Sequence, residues 1–419
     1  DAANIGGDTD TIGAIAGAIL GAALGFEVFV GRGLAQVESV SGLHLTEAAT
    51  ALLSLRGPIG TGEDRQESSK PTTSNTPEAP TRTRPVDTAT ASSPTATALA
   101  GRVVLMGQIL VDRVLQGARP IHGGGSEWAR DGGTHVGGGF NALVAARRMG
   151  AEAVSLSPIG TGPHASMIEA ALAREGIVDA GPRVDGVDNG FCVAMIGHDA
   201  ERTFISTKGA ETMTPETEWA DFVRTMSPGD VLYIDGYLMD HPANREAAET
   251  ALRVLPEGVH VLLDVSPVIG IPESLPTHHA IISMNSVEAR AIAKQSRLDG
   301  YLPFDSLSCH LAQTLGRDTL IRLGASGACF ARSASPDSET SAAHIPTPTI
   351  DAVDTNGAGD AHTGVLAASL ALGIPLERGL VLANCAGALA STMPGPASCP
   401  TREEIEAAAD ALAADAAAE

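Results

Sequence analysis

Asp354-Thr-Asn-Gly-Ala-Gly-Asp360, followed by Ala361-His-Thr-Gly364, decides how the rest of the 419-residue chain is read. Gly357 and Gly359 free the backbone to turn sharply and present consecutive N–H groups, and Asp360 closes the turn. The run Gly364-Val-Leu-Ala-Ala-Ser-Leu-Ala-Leu372 reads as a buried helix starting close behind. A glycine-rich turn feeding a helix N-terminus is a ready anion site, because unpaired N–H groups and the helix dipole both favour negative charge. A carboxylate there would repel bound phosphate, unless its work is to take the proton from a hydroxyl attacking that phosphate. The spacing alone allows a plainer reading equally well: a helix-entry loop with Asp360 as the N-cap.

Outward from this stretch, strand and helix patterns alternate. Strands are expected at Val103–Met106, Ala153–Ser157, Val231–Ile234, Val259–Asp264, Ala280–Met284 and Thr319–Leu323. Helices are expected at Asn141–Met149, Ala165–Glu175, Asn244–Leu255, Ser286–Gln295 and Leu307–Leu315. Such alternation argues for an α/β fold with a mainly parallel sheet covered on both faces. Phe191–His198 and Arg202–Thr207 read instead as a hairpin turning at His198-Asp-Ala-Glu201. Thr401-Arg-Glu-Glu404 is a capping-box pattern opening an Ala-rich helix.

The DTNGAGD stretch with its small-residue helix resembles the signature of the ribokinase-type (PfkB) family of sugar and nucleoside kinases. Further stretches follow that family's chain order across residues 101–410: Gly101–Gly107 with Asp112 behind it, His135-Val-Gly-Gly-Gly-Phe-Asn141, Asn285-Ser-Val-Glu288 and Leu323-Gly-Ala-Ser-Gly327. The resemblance implies a ribokinase-like sandwich with a small β lid over the sugar. It implies ATP and Mg²⁺ as cofactors, with a monovalent cation as a further candidate, and Asp360 as catalytic base. Gly357, Ala358 and Gly359 would form the anion hole, while Asp112, Gly137, Gly138 and Asn141 would bind the sugar or nucleoside acceptor. Asn285, Gly324, Gly327 and Asn384 would bind ATP, and Glu288 would reach Mg²⁺ through water. From the residues alone, Asp112 also reads as a turn aspartate, Asn141 and Asn285 as helix N-caps, Gly324 and Gly327 as an ordinary turn, and Asn384 as a satisfied core amide. Two departures bear on the acceptor: Gly138 stands where ribokinases have Lys and Val136 where a Gly is common, both speaking against ribose itself. The family's Asp-x-Asn-x-Arg segment survives only as Asp264-Val-Ser-Pro267.

Composition changes twice before residue 101. Asn4-Ile-Gly-Gly-Asp-Thr-Asp-Thr11 resembles the C-terminal metal motif of the ADP-ribosylglycohydrolase family, which implies vestigial metal ligands in Asp8 and Asp10. Residues 1–57 therefore read as an all-α fragment, the tail of a truncated fusion, without the partner acidic cluster a hydrolase would need. Residues 58–100 are rich in Ser, Thr and Pro and read as a disordered linker, leaving 101–419 as the kinase domain. The fused fragment favours a ribose-like acceptor. Its G-x-x-x-G run over residues 11–26 is short of a membrane span and reads as a closely packed helix.

With 50 acidic against 27 basic residues, a net charge of −23 argues against nucleic acid and anionic membranes as partners. Five cysteines without a C-x-x-C pair read as thiols of a reducing cytoplasm, and no secretory leader is expected. The assembly left open is a homodimer. Aromatics are only 3%, so the core must be built from Ala, Val, Leu and Ile.

Overall fold

Parallel strands buried on both faces need aliphatic runs, and the chain supplies them in order. A computed structural model describes residues 100–117, 128–196, 202–333, 341–393, 395 and 397–418. The expected N-terminal fragment with Asp8 and Asp10, nearly all of the 58–100 linker and the 198–201 turn lie outside the described residues. In chain order the strands are β1 (Arg102–Met106), β2 (Ile109–Gln116), β3 (Arg130–Gly138), β4 (Glu152–Ser155), β5 (Val178–Asp179), β6 (Phe191–Ile196), β7 (Arg202–Ser206), β8 (Val231–Asp235), β9 (His260–Asp264), β10 (Ala280–Asn285), β11 (Asp318–Arg322), β12 (Ala328–Ala331) and β13 (Ala342–Ile345). The α-helices are α1 (Phe140–Arg148), α2 (Pro163–Arg174), α3 (Glu218–Val223), α4 (Pro242–Leu252), α5 (Ser286–Gln295), α6 (Phe304–Leu315), α7 (Ala358–Ala371), α8 (Leu376–Ala390) and α9 (Arg402–Ala418).

Nine strands form the main sheet in the order β13-β12-β11-β10-β9-β8-β1-β4-β5. Pairing is parallel from β11 to β5, and β12 and β13 close one edge antiparallel. Alternate residues divide between the two faces, as a period of two requires. Val103, Leu105, Val231 and Tyr233 join the core shared with α1, α2, α7, α8 and α9. Val104, Met106, Leu232 and Ile234 join the one shared with α3 to α6. Each fully buried Leu or Ile contributes about 1.5–3 kcal/mol, and aliphatic side chains dominate both cores, as the scarcity of aromatics demands. Helix α7 is buried nearly all round from Ala361 to Ala371 because it runs between the sheet and its neighbours. Its backbone lies directly against α1: a Cβ on Gly364 would run into the Ala142 carbonyl oxygen.

The expected hairpin is present as β6 and β7, with Cys192 opposite Ser206, but it is half of a larger lid. A second sheet runs β3-β2-β6-β7. Strand β3 escapes sequence reading because Gly132, Gly133, Gly137 and Gly138 leave no alternating pattern. Asp112 consequently sits within strand β2, paired across to His135, rather than in a turn.

At the carboxyl ends of the parallel strands the aliphatic runs stop at a row of polar residues: Asp235 on β8, Asp264 on β9, Asn285 on β10 and Arg322 on β11. Asp235 is level with Asp264, and Asn285 with Arg322. In open α/β sheets this edge is where ligands bind.

Candidate active site

Helix α7 begins at Ala358, six residues before the expected start, and this changes the place of Asp360. Gly357, in the left-handed region at φ 77°, is the N-cap, so Asp360 is the third residue of the first turn and caps nothing. The early start follows from the glycines: Gly357 supplies the turn, the Ala358 N–H donates to the Thr355 carbonyl at 3.3 Å, and Gly359 follows in the first turn, where helix donors lack intrahelical partners. The loop before it is held by Asp354, whose carboxylate accepts from the Asn356 amide at 2.9 Å and the Gly395 amide at 3.1 Å.

Asn141 is not a cap either. Gly139 holds that position on α1, and Asn141, buried inside the first turn, donates from Nδ2 to Asp360 Oδ2 at 3.0 Å. The carboxyl of Asp360 is half-buried, and desolvation, with repulsion from Asp264, pushes its pKa up to about 6 against the opposing pull of Asn141 and Arg322. It is thus ionised near neutral pH yet far more basic than an ordinary aspartate, as suits a general base. Asp112 is raised to about 6 as well, by burial first and by the charge of Asp360 second. Gly137 on β3 packs so close to Asp112 that any side chain there would strike the carboxylate, and Gly138 ends the same strand. Asp112, Gly137, Gly138, Asn141 and Asp360 therefore fall where the lid meets the entrances of α1 and α7.

The expected nucleotide residues converge on a cavity of about 650 Å³, lined by Asn285, Gly324, Gly327 and Asn384 together with Ala358 and Gly359. Gly324 and Gly327 flank a single 3₁₀ turn after β11. Asn285 is indeed an N-cap, in a capping box with Glu288: its Oδ1 accepts the Val287 and Glu288 amides at 2.9 Å, and Glu288 Oε2 accepts the Asn285 amide at 2.6 Å. The cap uses only the carbonyl oxygen of the Asn285 side chain. Asn384 is a satisfied amide that also lines the cavity, its Nδ2 donating to the Ile345 and Pro346 carbonyls, each at 3.0 Å.

Three groups in this region were not anticipated. Arg322 lines the cavity floor and grips Asp264 with two bonds of 2.6 and 3.0 Å, contacts Thr363 Oγ1 at 3.0 Å and faces Glu288 Oε2 at 3.8 Å. Its guanidinium is a fixed cation beneath the anion-binding turn, and its own pKa is raised. Asp235 is buried, with its carboxyl raised to about 7 by desolvation, and accepts the Gln108 amide at 2.5 Å and the Leu238 amide at 3.2 Å. The Gln108 carbonyl in turn accepts the Gly139 amide at 2.9 Å, so Asp235 steadies the entrance of α1. His362, on α7, lines the cavity with both ring nitrogens unpartnered. A polar residue ending an aliphatic strand run was the available signal for Asp235 and Arg322.

The donors fit a nucleoside triphosphate: glycine-flanked backbone amides, a helix N-terminus and Arg322 converge on one end of the cavity. For a divalent cation the fit is indirect. Among the described residues no cluster of three His, Cys, Asp or Glu side chains could cage one. Glu288 is committed to its capping box, so the arrangement suits a metal carried by the phosphates rather than one held by side chains alone.

A carboxylate of raised pKa beside a glycine-rich helix entrance, between a lid and a nucleotide-sized cavity, fits a phosphotransferase with an alcohol acceptor. Residues 101–403 match the pfkB family of carbohydrate kinases, and the chain belongs to that family. It is 32% identical over 277 residues to an uncharacterized sugar kinase, YegV, of Escherichia coli K12, across 65% of this chain and 82% of that protein. It is 28% identical over 276 residues to the aminoimidazole riboside kinase of Salmonella typhimurium, across 62% of this chain and 82% of that protein. The fold matches ribokinase from Thermotoga maritima with a TM-score of 0.62 at 21% identity, covering 73% of this chain and 98% of that one. It matches Arabidopsis thaliana ribokinase complexed with ribose and ATP with a TM-score of 0.60 at 23% identity, covering 74% and 99%. Residues 1–61 match the ADP-ribosylglycohydrolase family.

Proposed function

We propose that the chain transfers the γ-phosphoryl group of ATP to a hydroxyl of a small ribose-like sugar, with Asp360 as the base. The observation that carries this reading is the Asn141–Asp360 hydrogen bond of 3.0 Å beside the Ala358 and Gly359 amides. It aims a carboxylate of raised basicity at the point where phosphate would lie. The acceptor rests between Asp112 and the bare Gly137–Gly138 backbone, Asp112 accepting from its hydroxyls. Asp360 takes the proton of the attacking hydroxyl as its oxygen bonds to the γ-phosphorus and the bond from that phosphorus to the bridging oxygen breaks, releasing ADP, while the amides of Gly357, Ala358 and Gly359 hold the charge growing on the phosphoryl oxygens. Asn285, Gly324, Gly327 and Asn384 seat the nucleotide. Glu288 would hold Mg²⁺ through water, and the ion would supply charge neutralisation at the phosphates.

The finer assignments rest on the same reading. Residues 101–419 act as the kinase unit, 58–100 as a linker and 1–57 as a separate fragment. A monovalent cation ordering the 354–360 loop would show as potassium dependence of the rate. Among the described residues no helix is long and apolar enough to cross a membrane, and we assign the chain to the cytoplasm. The exposed Phe204 and Ile205 on β7 support a homodimer. The resemblance to a riboside kinase supports a second reading, a nucleoside acceptor.

ATP consumption measured against a panel of pentoses, hexoses and nucleosides, with the phosphorylated product identified, tests the proposal. Turnover with a pentose supports it and turnover with nucleosides alone moves the acceptor. Binding without turnover of any member would leave a sensor in place of an enzyme.

A further inference from the structure

His362 is 4% exposed, lines the nucleotide cavity, and has no hydrogen-bond partner at either Nδ1 or Nε2. A buried polar group without a partner costs the fold its desolvation penalty, so native structures rarely keep one without a use. Its position is informative. It lies one helical turn after Ala358, about 6 Å along the axis at 1.5 Å per residue, on the side of α7 facing Gly387 and Asn384 of α8. The ring therefore stands beyond the phosphate end, where the nucleoside portion of a nucleotide would extend.

The neighbours also fix which way its hydrogen bonds run. Burial, with the Arg322 charge behind it, pulls the imidazole down to about 3, so the ring is neutral and offers one donor and one acceptor. Asn384 spends its Nδ2 on the Ile345 and Pro346 carbonyls, which turns its Oδ1 into the end able to accept. The Asn384 side chain stands beside the ring but short of a formed hydrogen bond. A ring N–H donated to Asn384 Oδ1 would leave the other nitrogen as an acceptor for a ligand in the cavity.

We infer that His362 selects the nucleoside part of the phosphate donor, its open ring nitrogen accepting a hydrogen bond from an amino group of the base or a hydroxyl of the ribose. This rests on the reading of the cavity as the ATP site. It gives the relay Ile345 and Pro346 carbonyls, Asn384, His362, nucleoside, in which the first two steps set the polarity of the last.

The test compares the full-length chain with His362→Phe and His362→Gln, measuring dissociation constants for ATP, ITP, 2′-deoxy-ATP and 3′-deoxy-ATP by calorimetry, alongside KM and kcat. The phenyl ring keeps the bulk without the nitrogens, whereas the carboxamide restores an acceptor. His362→Phe is expected to weaken ATP about tenfold, the usual worth of one hydrogen bond left unmade, with kcat at saturation and the acceptor KM unchanged. His362→Gln should recover most of the loss. If the partner is the base amino group, ITP binds wild type and the Phe variant alike; if it is a ribose hydroxyl, the matching deoxy analogue does so instead. Equal ATP affinity in wild type and the Phe variant overturns the inference while leaving the ATP site intact. So does an equal loss for all four nucleotides that His362→Gln does not relieve, since that marks a packing role. Failure of wild type to bind any of the four overturns both this inference and the assignment of the cavity.

Discussion

Replacing Asp360 by Asn should make the protein more stable and nearly inactive, and the two effects should part company with pH. In the fold the Asp360 carboxyl titrates near 6 against an ordinary 3.8, because desolvation outweighs the Asn141 hydrogen bond. A raised pKa means the native state holds its proton more tightly than the unfolded chain does. Ionisation therefore costs nothing below the unfolded value, and the penalty grows as pH rises through 3.8 to about 6. At full ionisation the penalty approaches about 3 kcal/mol, an upper bound because the side chain is only half-buried. A carboxamide keeps an oxygen for Asn141 and carries no charge, so Asp360→Asn removes the penalty. Urea unfolding of variant and parent should coincide near pH 4 and diverge by about 1–3 kcal/mol at pH 8, the variant being the more stable. Over the same range kcat should fall about 10²–10⁴-fold, the worth of a positioned base. A variant retaining more than a tenth of parental kcat would refute the base assignment. A stability difference independent of pH would refute the account of why that carboxylate is basic.

Asn141→Ala removes the hydrogen bond that favours ionised Asp360, so the acidic limb of the kcat/KM–pH profile should move from near 6 towards neutrality, by about one pH unit for a charge-assisted bond; an unmoved limb would place the titrating group elsewhere. Arg322→Met strips the cation from between Asp264 and Glu288, leaving buried charge uncompensated, and should destabilise the fold by about 3–5 kcal/mol in urea unfolding. Weakened ATP binding should accompany that loss, and full stability in this variant would show that the bidentate pair contributes little.

The main sheet is legible in the sequence because each parallel strand is buried on both faces and announces itself as an aliphatic run: VVLM, VLYI, VLLD and AIIS all lie where expected. Helix α5 is legible to the residue because Asn285 and Glu288 form the capping box that their spacing suggests. Half of the lid was hidden, since strand β3 carries four glycines where an alternating strand would carry side chains, and its pairing is dictated by β2, which does not adjoin it in sequence. The turn from Gly357 to Asp360 is visible as a local motif, but the start of α7 is not, because Gly357 lets the helix begin earlier than the apolar run. The partners of the site were beyond local reading altogether. Asn141 and Asp360 are 219 residues apart, and Arg322 and Asp264 are 58 apart. The sheet brings the latter pair together across β10, where Asp264 is level with Ser283 and Arg322 with Asn285.

The bare face of Gly364 has a further consequence. Because α7 lies backbone to backbone on α1, the spacing between the Asp360 carboxylate and the Asn141 amide is fixed by two rods in direct contact. Asp112, Gly137 and Gly138, by contrast, hang from β2 and β3 of the outer sheet. With the acceptor seated as proposed, exchanging side chains there should retune which sugar is taken while the chemistry stays anchored. Growth of a single methyl group at position 364 would instead pry the rods apart and detune every substrate at once.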